Sequence, residues 1–193
     1  MASSYTTNFG IEEMGSGDQS GSWGTTTNYN WDILDRIASY KAVTVSSTSH
    51  TLTVREASPD SGTSNVQDGM FRVIKFIDAG DIGGNCTVTV GPNTTTAWFI
   101  MENALSASRT IDVSQGSGAN VTIQNGKNVI VYCDGAGGGA AVVDAIADLQ
   151  VGTLEVTGAG AIDGNATVGG TLGVTGNTTL SGTLGVTSTT TLS

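Results

Sequence analysis

The sequence predicts a mainly-β protein that continues into a repetitive fibrous segment. Thr, Val and Gly are abundant and strong helix formers are few, which favours turn-rich β-structure. Short β-branched runs separated by turn residues follow from about residue 40 onwards, and a six-residue repeat occupies 152–193. We therefore predict an all-β fold in three parts. These are an N-terminal extended docking arm (1–30), a β-rich shoulder domain (31–150) that is an antiparallel β-sandwich or barrel entered by a short helix, and a trimeric fibrous β shaft (151–193).

The composition excludes several classes of partner. The 193 residues carry a formal net charge of -10, and only 12% of them are charged. A chain with so few cations cannot build the basic face that captures nucleic acid or anionic lipid. No apolar run approaches the length of a membrane span, and Met1–Gly10 has neither the basic nor the apolar region of a secretory signal. We expect no nucleic acid partner and no membrane insertion.

The first 30 residues contain isolated apolar side chains in a Gly-, Ser-, Thr- and Asn-rich background. So little apolar surface cannot form a core alone, so the segment is either a floppy tail or an arm that orders against a partner. Scattered aromatics favour the arm, because aromatics anchor protein contacts. For the two tryptophans, packing at the entrance of the domain is the alternative. The predicted virion-docking residues are Tyr5, Phe9, Ile11, Met14, Trp23 and Trp31.

A short helix is predicted just after the arm. Asn30 is a suitable N-cap, and Asp32 and Asp35 fall in the first turn, where carboxylates favour helix formation. The same role explains this carboxylate pair better than glycosidase chemistry does. The apolar face of the helix is predicted to comprise Trp31, Leu34, Ile37 and Ala38.

Nine strands are predicted beyond Tyr40, where the apolar period changes to two. Asn125-Gly126 has the residue pair of a type I′ turn, which predicts a β-hairpin between the two strands that flank it. The predicted strands are Ala42–Ser46, Thr51–Arg55, Phe71–Ile77, Cys86–Val90, Ala97–Glu102, Arg109–Val113, Asn120–Gln124, Asn128–Cys133 and Ala141–Ala145.

The last 42 residues divide without a gap into seven hexads, such as GTLGVT at 170–175. The first position is Gly in six of the seven hexads, and each hexad resembles a four- or five-residue strand with Gly at the turn. The fifth position is aliphatic in every hexad, which predicts a row of core residues: Val156, Ile162, Val168, Val174, Leu180, Val186 and Leu192.

One copy of these hexads cannot bury its own aliphatic row. Seven small apolar side chains do not offset the entropy of ordering the whole segment, and single strands leave open edges. Three chains wound about one axis would bury the row and pair the edges, so the repeats predict a homotrimer. A single-chain β-helix and a flexible linker are the alternatives.

Few residues have the pattern of a reactive site. His50 is the only histidine, and a surface turn explains it better than a catalytic base does. Asp78 and Asp81 suggest a cation loop only faintly, and a plain turn is favoured because the EF-hand spacing is absent. The loop 134–139 is Gly-rich but lacks the Lys of a P-loop, so a hairpin loop is predicted. We therefore expect no catalytic residues, no metal site and no cofactor.

Cys86 and Cys133 are too few for a disulfide framework or, with one histidine, for a zinc site. We predict that both are buried, reduced core residues. A single disulfide between neighbouring strands is the alternative.

Three segments resemble parts of tailed-bacteriophage fibre and appendage proteins. DQSGSWGTTTNYNWDILDRIASY (Asp18–Tyr40) resembles a recurrent N-terminal motif of these proteins, and NGKNVIVYCDG (Asn125–Gly135) followed by AVVDAI (Ala141–Ile146) resembles the end of the same domain. The hexads resemble fibre shaft repeats. The resemblance implies a trimeric virion protein whose N-terminal part attaches to the particle. Such fibres usually continue into a receptor-binding tip, whereas this sequence stops at Ser193, at the end of the seventh hexad.

The expected function is structural and not enzymatic. The chain is expected to be a homotrimeric tail fibre that attaches to a phage tail or neck protein and projects a shaft for host adsorption, with a distal fibre protein or a host surface receptor as further partners. Its expected location is the virion tail, after assembly in the host cytoplasm. The alternatives are a capsid decoration or cement protein, and a carbohydrate-binding or depolymerase module of a phage appendage.

Overall fold

A computed structural model describes residues 3–55 and 66–188. The chain divides into two compact units, Met1–Gln150 and Val151–Ser193.

The first unit contains one α-helix and eleven strands among its described residues. The helix α1 spans Trp23–Ile37, and short 3-10 turns occupy Asp68–Met70 and Gly137–Gly139. The strands are β1 (Ser4–Tyr5), β2 (Glu12–Glu13), β3 (Tyr40–Val45), β4 (Ser49–Thr53), β5 (Val73–Asp78), β6 (Cys86–Gly91), β7 (Ala97–Ala104), β8 (Ile111–Ser114), β9 (Val121–Ile123), β10 (Asn128–Cys133) and β11 (Val142–Asp144).

The strands from β3 onwards form two sheets, and the chain alternates between them. The five-stranded sheet has the order β11-β10-β7-β5-β3, and the four-stranded sheet has the order β4-β6-β8-β9. From β3 to β8 each strand lies in the sheet opposite the preceding one. From β5 onwards, each of these strands therefore pairs with the strand two positions earlier in the chain. This is the winding of a β-solenoid, with β3–β4, β5–β6 and β7–β8 as successive coils.

The mainly-β prediction is confirmed, but the antiparallel prediction is wrong for four of the seven strand pairs in the two larger sheets. β3–β5, β5–β7, β4–β6 and β6–β8 are parallel, whereas β7–β10, β10–β11 and β8–β9 are antiparallel. The described strands from β3 onwards form two open sheets and not a closed barrel. The sequence pattern did not distinguish parallel from antiparallel pairing, because a strand's apolar alternation is the same in both arrangements.

The predicted Asn125-Gly126 hairpin is also wrong. Gly126 has the positive φ of 69° that the turn signature implies. However, β9 pairs with β8 in the four-stranded sheet, whereas β10 pairs with β7 and β11 in the five-stranded sheet. The turn therefore carries the chain from one sheet to the other.

A single hydrophobic core receives side chains from both sheets. Alternate residues of β6 and β7 are buried, as a strand with one face on a core requires. The largest fully buried side chains include Phe76, Phe99, Leu52, Ile74, Met101, Ile111 and Ile123.

The helix differs from its prediction in both its start and its buried face. It begins at Trp23 after Ser22, so Asp32 and Asp35 lie in its second half and not in its first turn. Its fully buried apolar residue is Ile33, while Trp31 and Leu34 are exposed. Thr and Asn have low helix propensity, so the first turns of the helix were not predicted from the sequence. Contacts with the N-terminal segment outweigh that low helix propensity.

Asn30 joins the helix to the N-terminal strands and does not cap it. Its side-chain nitrogen donates to the Glu12 carbonyl at 3.0 Å, and its side-chain oxygen accepts from the Glu12 backbone N–H at 2.9 Å. The paired strands β1 and β2 are thereby held against α1. Residues 3–22 therefore contain a pair of antiparallel strands and belong to the first unit.

The second unit contains the hexads. Among its described residues, 151–188, no helix or strand forms in the single chain, and every residue is exposed. The strands that the hexads predict are therefore not formed by one copy alone.

Candidate binding cavity between the N-terminal segment and the five-stranded sheet

A cavity of about 550 Å³ lies within the first unit. Its wall combines the N-terminal segment, the end of α1, and the neighbouring ends of β7 and β10. The residues that define its chemistry are Asn8, Phe9, Arg72, Trp98, Tyr132 and Asp134. This volume falls in the range of sites for small molecules.

Arg72 is a buried cation in this wall. Only 5% of its surface is exposed, and its guanidinium lies 4.7 Å from the ring centre of Phe9 and 5.1 Å from that of Phe99. Nη1 donates to the Trp98 carbonyl at 2.7 Å, but Nη2 is buried without a hydrogen-bond acceptor. Among the described residues, no carboxylate forms an ion pair with Arg72.

The Arg72 side chain nevertheless carries its charge at neutral pH. Burial lowers the pKa of its guanidinium to about 10, well above neutrality. A buried full charge without a counter-ion is unfavourable, and here the contacts with Phe9, Phe99 and the Trp98 carbonyl offset part of that cost.

Trp98 and Tyr132 provide an aromatic surface beside the cavity. They are directly paired across β7 and β10, and each is next to a buried residue, Phe99 or Cys133, so both project from the outer face of the sheet. The exposed fractions are 51% for Trp98 and 43% for Tyr132. Exposed aromatic rings with polar tips are typical of contact surfaces.

Hydrogen bonds hold the loops around the cavity. The side chain of Gln115 donates to the Thr95 carbonyl at 2.6 Å and accepts from the Gly135 N–H at 3.1 Å. Gly135 has a φ of 67°, and a Cβ there would lie 3.0 Å from the Thr94 carbonyl oxygen, so glycine is required. Asn8 accepts from the Thr96 N–H at 3.3 Å and from its hydroxyl at 3.0 Å, which fixes the N-terminal segment over β7.

The Asp134 carboxylate is held at the cavity by its own loop. Its Oδ1 accepts from the N–H groups of Ala136 at 3.1 Å and Ala141 at 2.9 Å. These backbone hydrogen bonds lower the pKa of Asp134. The loop joins the paired strands β10 and β11, as predicted.

Both cysteines are buried, as predicted, and both are free thiols. Cys86 lies in β6 and Cys133 in β10, so they belong to different sheets. Burial raises the pKa of both thiols, to about 12 for Cys133. Such thiols are poor nucleophiles at neutral pH.

The predicted docking residues are not brought together in one place. Phe9 packs on Arg72 and against the core, and Tyr5 and Ile11 are partly buried in the N-terminal segment. Met14, Trp23 and Trp31 are exposed by 40%, 64% and 62%. Trp23 and Trp31 both lie on α1, at its start and in its second half.

The other residues considered for chemistry have structural surroundings. His50 lies in the strand β4 and not in a turn. The centre of its ring lies 6.4 Å from that of Phe76 in an edge-on arrangement, and burial lowers the pKa of His50. Asp78 accepts from Ser106, and Asp81 pairs with Arg109. Within the described ranges, no cluster of three potential metal ligands occurs. No helix in those ranges is long and apolar enough to cross a membrane.

The fifth-position aliphatics of the hexads remain exposed in the single chain. Their exposed fractions run from 50% at Val186 to 71% at Ile162. The other described members, Val156, Val168, Val174 and Leu180, lie between these values. Leu192 lies outside the described residues.

Sequence reasoning missed the cavity. The available signal was Arg72 itself, a charged residue in the same alternation as the apolar Ile74 and Phe76. Trp98 and Tyr132 are 34 positions apart in the chain, and only the pairing of β7 with β10 brings them together.

Comparisons with protein-family models, with curated proteins and with solved structures found no match for this chain.

Proposed function

We propose that this protein is a structural component of a phage tail fibre, in which three copies join through their hexads. The β-rich unit is the shoulder, and the hexads form the beginning of a stiff shaft. The N-terminal part attaches the fibre to a tail or neck protein. The function is mechanical, namely reach and multivalent presentation at the host surface.

The observation that carries the proposal is the exposed aliphatic row. A strict six-residue repeat places one Val, Ile or Leu in every hexad, yet all the described members are at least half exposed in a single chain. A regular apolar row that one chain leaves in water calls for burial by other copies. Pairing between copies would also satisfy the backbone groups that a lone segment leaves open.

The first prediction tests this association in the full chain. Val174→Asp together with Val186→Asp places charges in the row, and we expect this variant to sediment as a monomer. The wild-type chain is expected to sediment at three times its 19.5 kDa mass. Burying an unpaired carboxylate in a threefold core is strongly unfavourable. Analytical ultracentrifugation makes the measurement.

Thr171→Asp with Thr183→Asp is the matched control. It adds the same charge to the same two hexads at the second position, and we expect it to remain trimeric. Circular dichroism verifies that the β-rich unit is folded in both variants. A wild-type chain that is monomeric over a wide concentration range refutes the shaft.

A saccharide-binding module is a second candidate, and one observation favours it. Trp98 and Tyr132 are exposed side by side beside a cavity, and Tyr40 is 55% exposed on the outer face of the same sheet. An aromatic patch on one sheet face is the feature that separates a ligand-binding module from a purely mechanical shoulder. Neither candidate requires catalysis.

A further inference from the structure

We propose that the outer face of the five-stranded sheet is an interface between copies of this chain. Three copies joined through their hexads turn these faces towards the common threefold axis, where each face contacts the same face of its two neighbours. The inference rests on the proposed trimer and deepens it, because it gives the β-rich unit a part in the assembly. We call this surface the apolar face, and its exposed or partly exposed apolar members are Tyr40, Val73, Trp98, Ile100, Ile130 and Tyr132.

The strand register makes these side chains one continuous patch. All of them alternate along their strands with core-facing side chains, so they lie on the same side of the sheet. Trp98 and Tyr132 are paired in one row. Single exposed apolar residues are ordinary on a protein surface, whereas a contiguous apolar patch marks an interaction site. The adjoining row crosses four neighbouring strands and comprises Tyr40, Val73, Ile100 and Ile130.

The four-stranded sheet shows the kind of surface that this protein presents to water. It shares the core with the five-stranded sheet, yet the outward positions of its strands carry no aromatic or aliphatic side chain. Apart from Gly91 and Asp112 these positions are all Ser or Thr, as at Thr51, Thr87 and Thr122. The same chain therefore gives one sheet a polar outer face and the other an apolar one. This contrast indicates that the apolar face is covered in the assembled protein.

The charges on the apolar face favour a second copy as its occupant. Among the outward positions of its strands only Lys75 and Glu102 are charged, and they pair with each other at 2.7 Å. The face therefore has no net charge, whereas the whole chain carries -10. Copies with so large a common charge repel one another, and a neutral apolar surface is where they can approach most closely. A cationic partner protein is drawn instead to the acidic surface elsewhere on the chain.

The connection to the hexads favours the same occupant. β11 is an edge strand of the five-stranded sheet, and residues 145–151 separate its last residue, Asp144, from the first hexad. A linker of this length spans at most about 25 Å. A trimer of hexads therefore tethers three apolar faces at an effective concentration of about millimolar. A weak apolar contact is then enough to hold the faces together.

Residue-resolved hydroxyl-radical footprinting of the full chain tests the inference. Tyr40, Trp98 and Tyr132 should react roughly 5-fold more slowly in the assembled wild type than in the monomeric Val174→Asp, Val186→Asp variant, because an interface excludes solvent from its core. Both proteins are measured at one concentration, at which sedimentation shows the wild type to be assembled. Trp23 lies on α1, outside the face, and is the internal reference.

Charges placed on the apolar face should weaken the assembly. Val73→Glu with Ile130→Glu changes two exposed positions, so the single chain should still fold, which circular dichroism verifies. We expect this variant to need about a 10-fold higher protein concentration for half-assembly, since burying unpaired carboxylates is unfavourable.

Thr51→Glu with Ser114→Glu is the matched control for this variant. It adds the same charge to the outer face of the four-stranded sheet, at two positions of one row with a single strand between them, as Val73 and Ile130 are. The control should assemble like the wild type. Equal assembly of the two Glu variants overturns the inference.

The outcomes separate this interface from the shaft. A trimeric wild type in which Tyr40, Trp98 and Tyr132 react as fast as in the monomeric variant overturns the interface and leaves the shaft intact. A wild type that is monomeric at every concentration refutes the shaft, and the interface with it. Reactivity in the trimer that falls only when maltohexaose is added overturns the interface and assigns the face to the saccharide candidate.

Discussion

Asn103 is a fully buried polar residue near the end of β7, on the core side of the sheet. Its side-chain nitrogen donates to the carbonyls of Arg109 and Ile123, both at 2.9 Å. Its side-chain oxygen accepts from the Leu105 N–H at 3.1 Å. One side chain therefore joins the end of β7, the segment leading into β8, and β9 of the opposite sheet.

Replacing this residue with leucine should destabilise the first unit. Asn103→Leu keeps the approximate volume but leaves three backbone groups without their partner, which we expect to lower the free energy of unfolding by about 3 kcal/mol. Urea denaturation followed by tryptophan fluorescence measures the change.

Asn128→Leu is the control for the asparagine replacement. It alters an exposed asparagine on β10 and should stay within about 0.5 kcal/mol of the wild type. A similarly small effect for Asn103→Leu would show that these hydrogen bonds contribute little.

Residue patterns in the sequence predict which side chains are buried better than they predict which polar groups meet. Burial of Cys86 and Cys133 follows from their places in apolar runs. The hydrogen bonds of Asn103 and the burial of Arg72 without an ion-pair partner could not be predicted from the sequence. The residues around both side chains come from segments distant in the chain. A hydrogen bond between such segments leaves no local pattern.

At the scale of elements, two adjacent loops are joined by charge. The loop after β5 carries Asp81, and the loop after β7 carries Arg109, whose Nε and Nη2 each donate to the carboxylate at 2.9 Å. Asp78, at the end of β5, accepts from the N–H and hydroxyl of Ser106, which lies in the loop after β7. The connections leaving two successive parallel strands are therefore held together outside the core.

Acid should release this connection in a defined pH range. Arg109 is the main cause that lowers the pKa of Asp81 to about 2, from an ordinary value of 3.8. Because the folded-state pKa is depressed, the stabilisation is complete above pH 4 and is lost as the pH falls through 2. Asp81→Asn should therefore lose less thermal stability than the wild type between pH 4 and pH 2, as measured by Tm.

Asp32→Asn provides the comparison for the acid titration. Asp32 is exposed on α1, and none of the described ion pairs includes it. This variant should follow the wild-type pH dependence. If Asp81→Asn follows the same curve as well, the ion pair does not contribute to acid stability.

The strands were predictable as elements, but their partners were not. Each of the nine segments predicted beyond Tyr40 overlaps an observed strand, because apolar alternation and turn residues are local signals. The parallel order depends on which sheet each strand joins, and that depends on the whole circuit of the chain. Asn125-Gly126 illustrates the limit, since a correct turn signature joins two strands that belong to different sheets.

At the scale of the whole molecule, the two units differ in where they obtain stability. The first unit has its own core, with many side chains fully buried within one chain. The described part of the second unit has none, since each of its residues is exposed. The two units should therefore respond differently to protein concentration.

Hydrogen exchange measures that difference directly. We expect amides of β6 and β7 to be protected at every protein concentration, whereas amides of 152–188 become protected only where trimers form. The Val174→Asp, Val186→Asp variant should leave the second group unprotected throughout, with Thr171→Asp, Thr183→Asp as its control. Rapid exchange of 152–188 in concentrated wild-type protein would contradict assembly through the hexads.

The coiled path of the first unit also has a consequence for how it folds. The register places Tyr40 beside Val73 and Val73 beside Ile100, so paired strands are separated by a full circuit of the chain. Closing such long loops is entropically costly before any contact rewards it, and proteins dominated by distant pairings fold in milliseconds to seconds. During that interval the unfinished sheets present bare strand edges, which makes a newly made chain vulnerable to pairing with the wrong neighbour.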